Sequence, residues 1–192
     1  MAERRASAFR NGRTVTVLAT VTANASMERE IPMSKTDSIL TSCREKYMHA
    51  ALELAREAAA GGEIPVGCVI VGAGGEILGT GRNRRETDHD ATAHAEMEAI
   101  REACRKRGDW RLENCTLYVT LEPCPMCAGA IMNARVSAVV YGAREERSGS
   151  CGSVIDLFSE NYGFHPKVYG GVLKEECAAV LRAFFDRLRD GS

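Results

Sequence analysis

Two short segments constrain this chain more than any other feature: His94-Ala95-Glu96 and Pro123-Cys124-Pro125-Met126-Cys127, with 26 residues between Glu96 and Pro123. Each stands where a loop or strand gives way to a helical pattern, so each is expected at a helix N-terminus. Cys124 and Cys127 are three residues apart and share one helix face. The free N–H groups and positive dipole end at that terminus favour thiolate over thiol, the form that binds metal. His94 adds a neutral imidazole. Together these are three ligands of the types zinc accepts, which leaves the fourth tetrahedral position for water, as in a catalytic site.

Glu96 lies two residues beyond His94, so on a helix it points in a different direction and need not ligate the ion. Two thiolates cancel the formal charge of zinc, and the water is acidified less than by three imidazoles. A carboxylate beside it can take the proton, then return protons to a substrate nitrogen and a leaving amine. Two other readings stay open on these residues alone. A structural zinc would need a fourth ligand such as Cys104 or Cys115, with Glu96 incidental. A lone C-x-x-C can also be a redox pair.

Composition narrows the setting. With 192 residues, 45% hydrophobic and 27% charged, the chain has material for one ordinary core. Its eight cysteines would suit a secreted disulfide scaffold only in a much shorter chain. Metal binding by a few of them, with Cys68, Cys104 and Cys177 as small apolar fillers, is the better account. A net charge of −1 gives no global field toward nucleic acid or membrane, so a polyanion would need a local basic patch and a specific pocket. No apolar run approaches the roughly 20 residues of a membrane span.

Periodicity becomes regular from Cys43. The expected order is a helix ending at Gly61-Gly62, a buried strand over 66–71, a hairpin to a second strand over 76–82, and a helix over 93–107. A third strand follows over 116–121, a helix to about Ala134, a fourth strand over 138–141, a short strand near Val168, and a closing helix over 173–189. Strands separated by helices imply parallel neighbours and helices on both faces of one sheet. Residues 1–42 differ: Arg4, Arg5, Arg10 and Arg13 precede a Thr/Val stretch. They are expected to be a disordered extension, or the product of an upstream start site, rather than a signal peptide, because threonines weaken the apolar stretch. Residues 43–192 are expected to form the single domain.

The H-x-E and P-C-x-x-C pair matches the known signature of zinc-dependent nucleobase deaminases. With Asn83, Asp90 to Glu96, Leu117 to Ala130 and Tyr141 to Arg144, the chain resembles the bacterial tRNA-specific adenosine deaminases. The resemblance runs from about Arg44 to the C-terminus. It implies a cytidine-deaminase-like three-layer α/β/α sandwich with a mixed, mostly parallel five-stranded sheet. It further implies a cytoplasmic homodimer, one zinc per subunit, and conversion of the wobble adenosine of a tRNA anticodon stem-loop to inosine. Residue by residue, it makes His94, Cys124 and Cys127 the zinc ligands and Glu96 the proton shuttle. Asn83 becomes a base-contacting residue, Pro65 and Val66 walls of the base pocket, Ala95 a further substrate-binding residue, and Glu145 a carboxylate near the ribose. Phe184 and Phe185 become candidates for a nucleotide contact, although at least one of the pair is expected in the core. Arg144, Arg147, Lys167, Arg182, Arg187 and Arg189 are candidates for phosphate contacts. This chain departs from the family at Ala91, where Pro is common, and at Glu145, where Asp is common. A deaminase of a free base, such as guanine or cytosine, is the competing reading within enzymes.

Overall fold

The computed structural model describes residues 35–190, all within one compact unit. The expected extension and its Thr/Val stretch lie outside the described residues up to position 34. Helix α1 (Lys35–Ala60) begins eight residues before Cys43, so the helix precedes the point where its apolar periodicity becomes visible. Met48, Ala51, Leu52, Ala55 and Ala58 are its buried stripe. The helix stops at Gly62, whose φ of +81° is a left-handed conformation that glycine adopts without cost.

Strands β1 (Gly67–Val71) and β2 (Ile77–Arg82) form the expected hairpin. A single turn, α2 (Arg85–Asp88), leads to α3 (Ala95–Arg107), β3 (Thr116–Leu121), α4 (Pro125–Asn133) and β4 (Ala138–Ala143). A 3-10 turn (Leu157–Ser159), β5 (Lys167–Gly170) and α5 (Lys174–Asp190) complete the order. The sheet runs β2-β1-β3-β4-β5. It is mixed, as expected, with four of its five strands running one way: β1 is antiparallel to both β2 and β3, while β3-β4 and β4-β5 are parallel. The crossover through α3 does make β2 and β3 point the same way. The hairpin partner β1 lies between them, and that placement produces the two antiparallel pairs.

Alternation along the strands separates two cores. Cys68, Ile70, Leu117, Val119, Val139 and Tyr141 face α3 and α4, whereas Val69, Val71, Tyr118 and Val140 face α1 and α5. The result is the three-layer arrangement, and each fully buried Val, Leu or Ile contributes about 1.5–3 kcal/mol. Cys68 and Cys177 are buried among apolar neighbours, as expected.

Close approach of α3 to the sheet depends on two glycines. A Cβ on Gly79 would stand 2.2 Å from the Ala99 carbonyl oxygen, and one on Gly81 would stand 2.1 Å from that of Ala95. Only glycine lets the helix backbone lie this close to β2. The N-terminus of α3 is thereby fixed at the carboxyl end of β2. Glu102 on α3 secures the same contact from the exposed side, accepting from the Thr80 amide at 2.7 Å and its hydroxyl at 2.8 Å.

Candidate active site

The carboxyl ends of β2, β3 and β4 and the start of β1 meet along one edge of the sheet. Ligand sites of open α/β sheets fall at such edges. Here the N-termini of α3 and α4 arrive together. His94 is the residue capping α3, in extended backbone at φ −83° and ψ 153°. Cys124 occupies the equivalent position on α4, at φ −77° and ψ 172°, and Pro125 fills the first helical turn, where its missing N–H costs nothing.

These caps bring three ligand atoms together. His94 Nδ1 lies 3.8 Å from Cys124 Sγ and 3.5 Å from Cys127 Sγ, and the three residues' donor atoms all fall within 4.8 Å of one another. The set is one nitrogen and two sulfurs, which fits a tetrahedral zinc with an open fourth position. Among the described residues this is the one group with the makings of a metal site. Cys104 and Cys115 do not join it. The Cys104 thiol donates to the Trp110 carbonyl at 3.5 Å, and Cys115 accepts from Arg107 at 3.2 Å. All eight cysteines are free. The structural-zinc arrangement with a fourth cysteine is therefore absent among the described residues.

Electrostatics prepare the site for metal. The Cys127 thiol hydrogen-bonds to Cys124, and His94 and the Cys127 amide add to this, lowering the Cys124 thiol to about 4. The same hydrogen bond, with burial, pushes the Cys127 thiol up, so one thiol is poised as thiolate and the other would lose its proton as metal binds. Glu96, in the first turn of α3, is 4% exposed. Burial raises its carboxyl above the usual range, which suits a group that must hold and release a proton.

A pocket of about 330 Å³ opens over these groups. His94, Ala95, Glu96 and Cys124 line it, together with Ile64, Val66, Asn83, Leu121, Glu122 and Glu145. Arg85, Arg147 and Ser148 complete the lining. Of the residues singled out in the sequence, Val66, Asn83, Ala95 and Glu145 thus line this pocket. Pro65 is buried between Ile64 and Val66 and does not itself line the pocket. Phe184 and Phe185 do not line it either. Both lie on α5, where Phe184 is 6% exposed and meets the 43%-exposed Phe185 edge-on at 5.4 Å. Arg144 donates to Ser153 Oγ at 2.9 Å and the Gly152 carbonyl at 3.0 Å, so it braces a loop.

One pocket carboxylate, one buried carboxylate behind Asn83 and one pocket arginine escape the sequence reading. Glu122, 2% exposed, accepts from the amides of Cys151 at 2.8 Å, Ser153 at 3.1 Å and Glu145 at 3.2 Å, and from the Ser153 hydroxyl. Burial pushes its carboxyl up, but these donors together hold it below the ordinary range. It fastens the loop that carries Glu145. Glu63, fully buried, does the same for α2 and Asn83. Arg85 is missed because its one-turn helix has no apolar face to announce it. The only sequence cue to Glu63 and Glu122 is an acidic residue beside an apolar run and a proline, which is weak.

The chain is similar to known proteins. Residues 41–143 match the cytidine and deoxycytidylate deaminase zinc-binding region. A tRNA-specific adenosine deaminase of Bacillus subtilis (strain 168) is 49% identical over 146 residues, covering 76% of this chain and 90% of that protein. A tRNA(Ile)-lysidine synthase of Deinococcus deserti is 51% identical over 74% of this chain, and the chain spans 27% of its length. A solved structure from work on A-to-I editing by tRNA:A34 deaminases at the wobble position of transfer RNA is similar with a TM-score of 0.68. Its identity is 42%, over 71% of this chain and 99% of that one.

Proposed function

The chain belongs to the cytidine and deoxycytidylate deaminase family, and from that membership we propose that it hydrolyses the wobble adenosine of a tRNA anticodon to inosine. The observation that carries the chemistry is the meeting of His94, Cys124 and Cys127 beneath a pocket with buried Glu96 in its wall. The tRNA-specific relatives support the choice of substrate.

His94, Cys124 and Cys127 would hold zinc, one ion per subunit. When bound, zinc would supply Lewis acidity that makes the attacking water a better acid. Glu96 is placed to take a proton from the attacking water and deliver it to N1 of adenine as oxygen adds to C6. It then takes the proton of the new C6 hydroxyl and passes it to the departing nitrogen. One water is consumed, the C6–N6 bond breaks, and inosine and ammonia result. Burial of Glu96 keeps solvent from competing for these protons. Asn83 and the backbone at Ala95 orient the base, Val66 shapes its wall with buried Pro65 holding the chain beside it, and Glu145 faces the ribose.

An anticodon loop suits this pocket because its bases are unpaired, so extruding one costs little. Arg85 and Arg147 at the rim supply the local positive charge that the near-neutral chain lacks overall. Phe184 and Phe185 stay in the proposal as a nucleotide-contacting face of α5, a role that falls chiefly to the exposed ring of Phe185. We take residues 43–192 as the deaminase domain, in a cytoplasmic homodimer. Exposed Val154, Ile155 and Tyr162 beyond β4 support a second copy as partner. Among the described residues no helix is long and apolar enough to cross a membrane.

Ammonia release distinguishes this reading from deamination of free bases. Turnover is expected on an anticodon stem-loop with a wobble adenosine and not on guanine or cytosine. Release from either free base, with none from the RNA, would overturn the proposal.

A further inference from the structure

Glu63 sits in the link between α1 and β1, fully buried and away from the three candidate ligands. An ionised carboxylate accepts and never donates, and all its partners here are neutral donors on the segment 83–87. Its two oxygens divide the work. Oε1 accepts from the Thr87 amide at 2.7 Å and the Thr87 hydroxyl at 2.8 Å, tethering α2. Oε2 accepts from the Glu86 amide and from Asn83 Nδ2, each at 3.3 Å. Burial pushes the carboxyl up, but the Thr87 and Glu86 donors more than offset this and keep it below its ordinary range.

The Asn83 contact has a consequence the tether does not. Asn83 is 5% exposed and lines the pocket. Its amide could be turned either way by half a rotation about the terminal bond. A carboxylate accepts only the amino end, so one amino hydrogen is committed to Glu63 and the amide is set before a base enters. The second amino hydrogen and the carbonyl oxygen are left to meet the base edge in one fixed order. A base held in the wrong orientation presents C6 and N1 away from Glu96.

We propose that Glu63 is a positioning residue for base recognition, acting through the carboxamide of Asn83. The inference rests on the proposed function and deepens it. Glu63→Gln is nearly isosteric. It keeps one oxygen for Thr87 but turns an amino group toward the amino group of Asn83, which favours the reversed amide.

The test is the single-turnover rate of E63Q at saturating anticodon stem-loop, measured beside the wild type, with RNA affinity, zinc content and melting temperature. The rate is expected to fall about ten- to a hundred-fold, as misplacement of a reacting group does. RNA affinity and zinc content should stay within about two-fold, because phosphate contacts dominate binding. In an Asn83→Ala background, E63Q should cost less than about two-fold, since the group it orients is gone. An unchanged rate, an equal loss in both backgrounds, or a loss that follows zinc content or melting temperature overturns the inference. A wild type that makes no inosine on this RNA contradicts the proposed function itself, and the inference falls with it.

Discussion

His94 Nδ1 and Cys127 Sγ lie 3.5 Å apart although 33 residues separate them in the chain. That contact joins the start of α3 to the start of α4, and the fold positions it through β2 and β3, which flank β1 in the sheet. If the pair shares a metal, removing either partner should cost the ion. In His94→Ala and Cys127→Ala, zinc measured by atomic absorption is expected to fall below about a tenth of an equivalent per chain. Full retention of zinc in both would contradict the assignment.

Glu96 predicts the opposite pattern. It is buried beside the ligands but is not one of them. Glu96→Ala should keep its zinc, while the rate of ammonia release falls by about 10²–10⁴ or more, the scale of a lost general acid–base group. Wild-type activity in this variant would leave Glu96 a structural residue.

The seat of α3 on β2 can be tested through Gly81. Gly81→Ala would place a methyl 2.1 Å from the Ala95 carbonyl oxygen, and backbone cannot yield as a flexible side chain can. The expected cost is about 1–3 kcal/mol in urea denaturation. Activity should fall further than stability alone explains, because Ala95 lies between His94 and Glu96. A variant as stable and active as the parent would refute this packing account.

Glu102 gives a pH dependence with a definite sign. The Thr80 amide, followed by its hydroxyl, holds the Glu102 carboxyl below its ordinary range in the folded chain. A depressed folded pKa stabilises above the unfolded value and is lost as pH falls through the folded one. Wild type should therefore exceed Glu102→Gln in stability at pH 6, and the gap should close as pH drops below about 4.5. Zinc loss in acid affects both proteins and cancels in the comparison. A gap that widened with acid would reverse the assignment.

The residues that meet at the candidate site are legible in the sequence because His94, Glu96, Cys124 and Cys127 sit in two compact segments with a recognisable spacing. Strand β3 is legible to the residue, Thr116 to Leu121, because Glu122-Pro123 stops its apolar run. The position of β1 between β2 and β3 is not legible, because alternation within a strand names its faces but not its neighbours. Glu63 and Glu122 read as ordinary acidic residues until tertiary packing buries them. Asn83 is legible as a pocket residue, but the partner that orients it lies 20 residues away and shares no motif with it.

The account stands or falls on the product. An anticodon stem-loop bearing a wobble adenosine should be incubated with the purified chain, digested to nucleosides and analysed by mass spectrometry, beside the same RNA with another base at that position. The prediction is inosine, one per molecule, from the first RNA and none from the second. Adenosine recovered intact from both, by a chain that carries zinc, would contradict it.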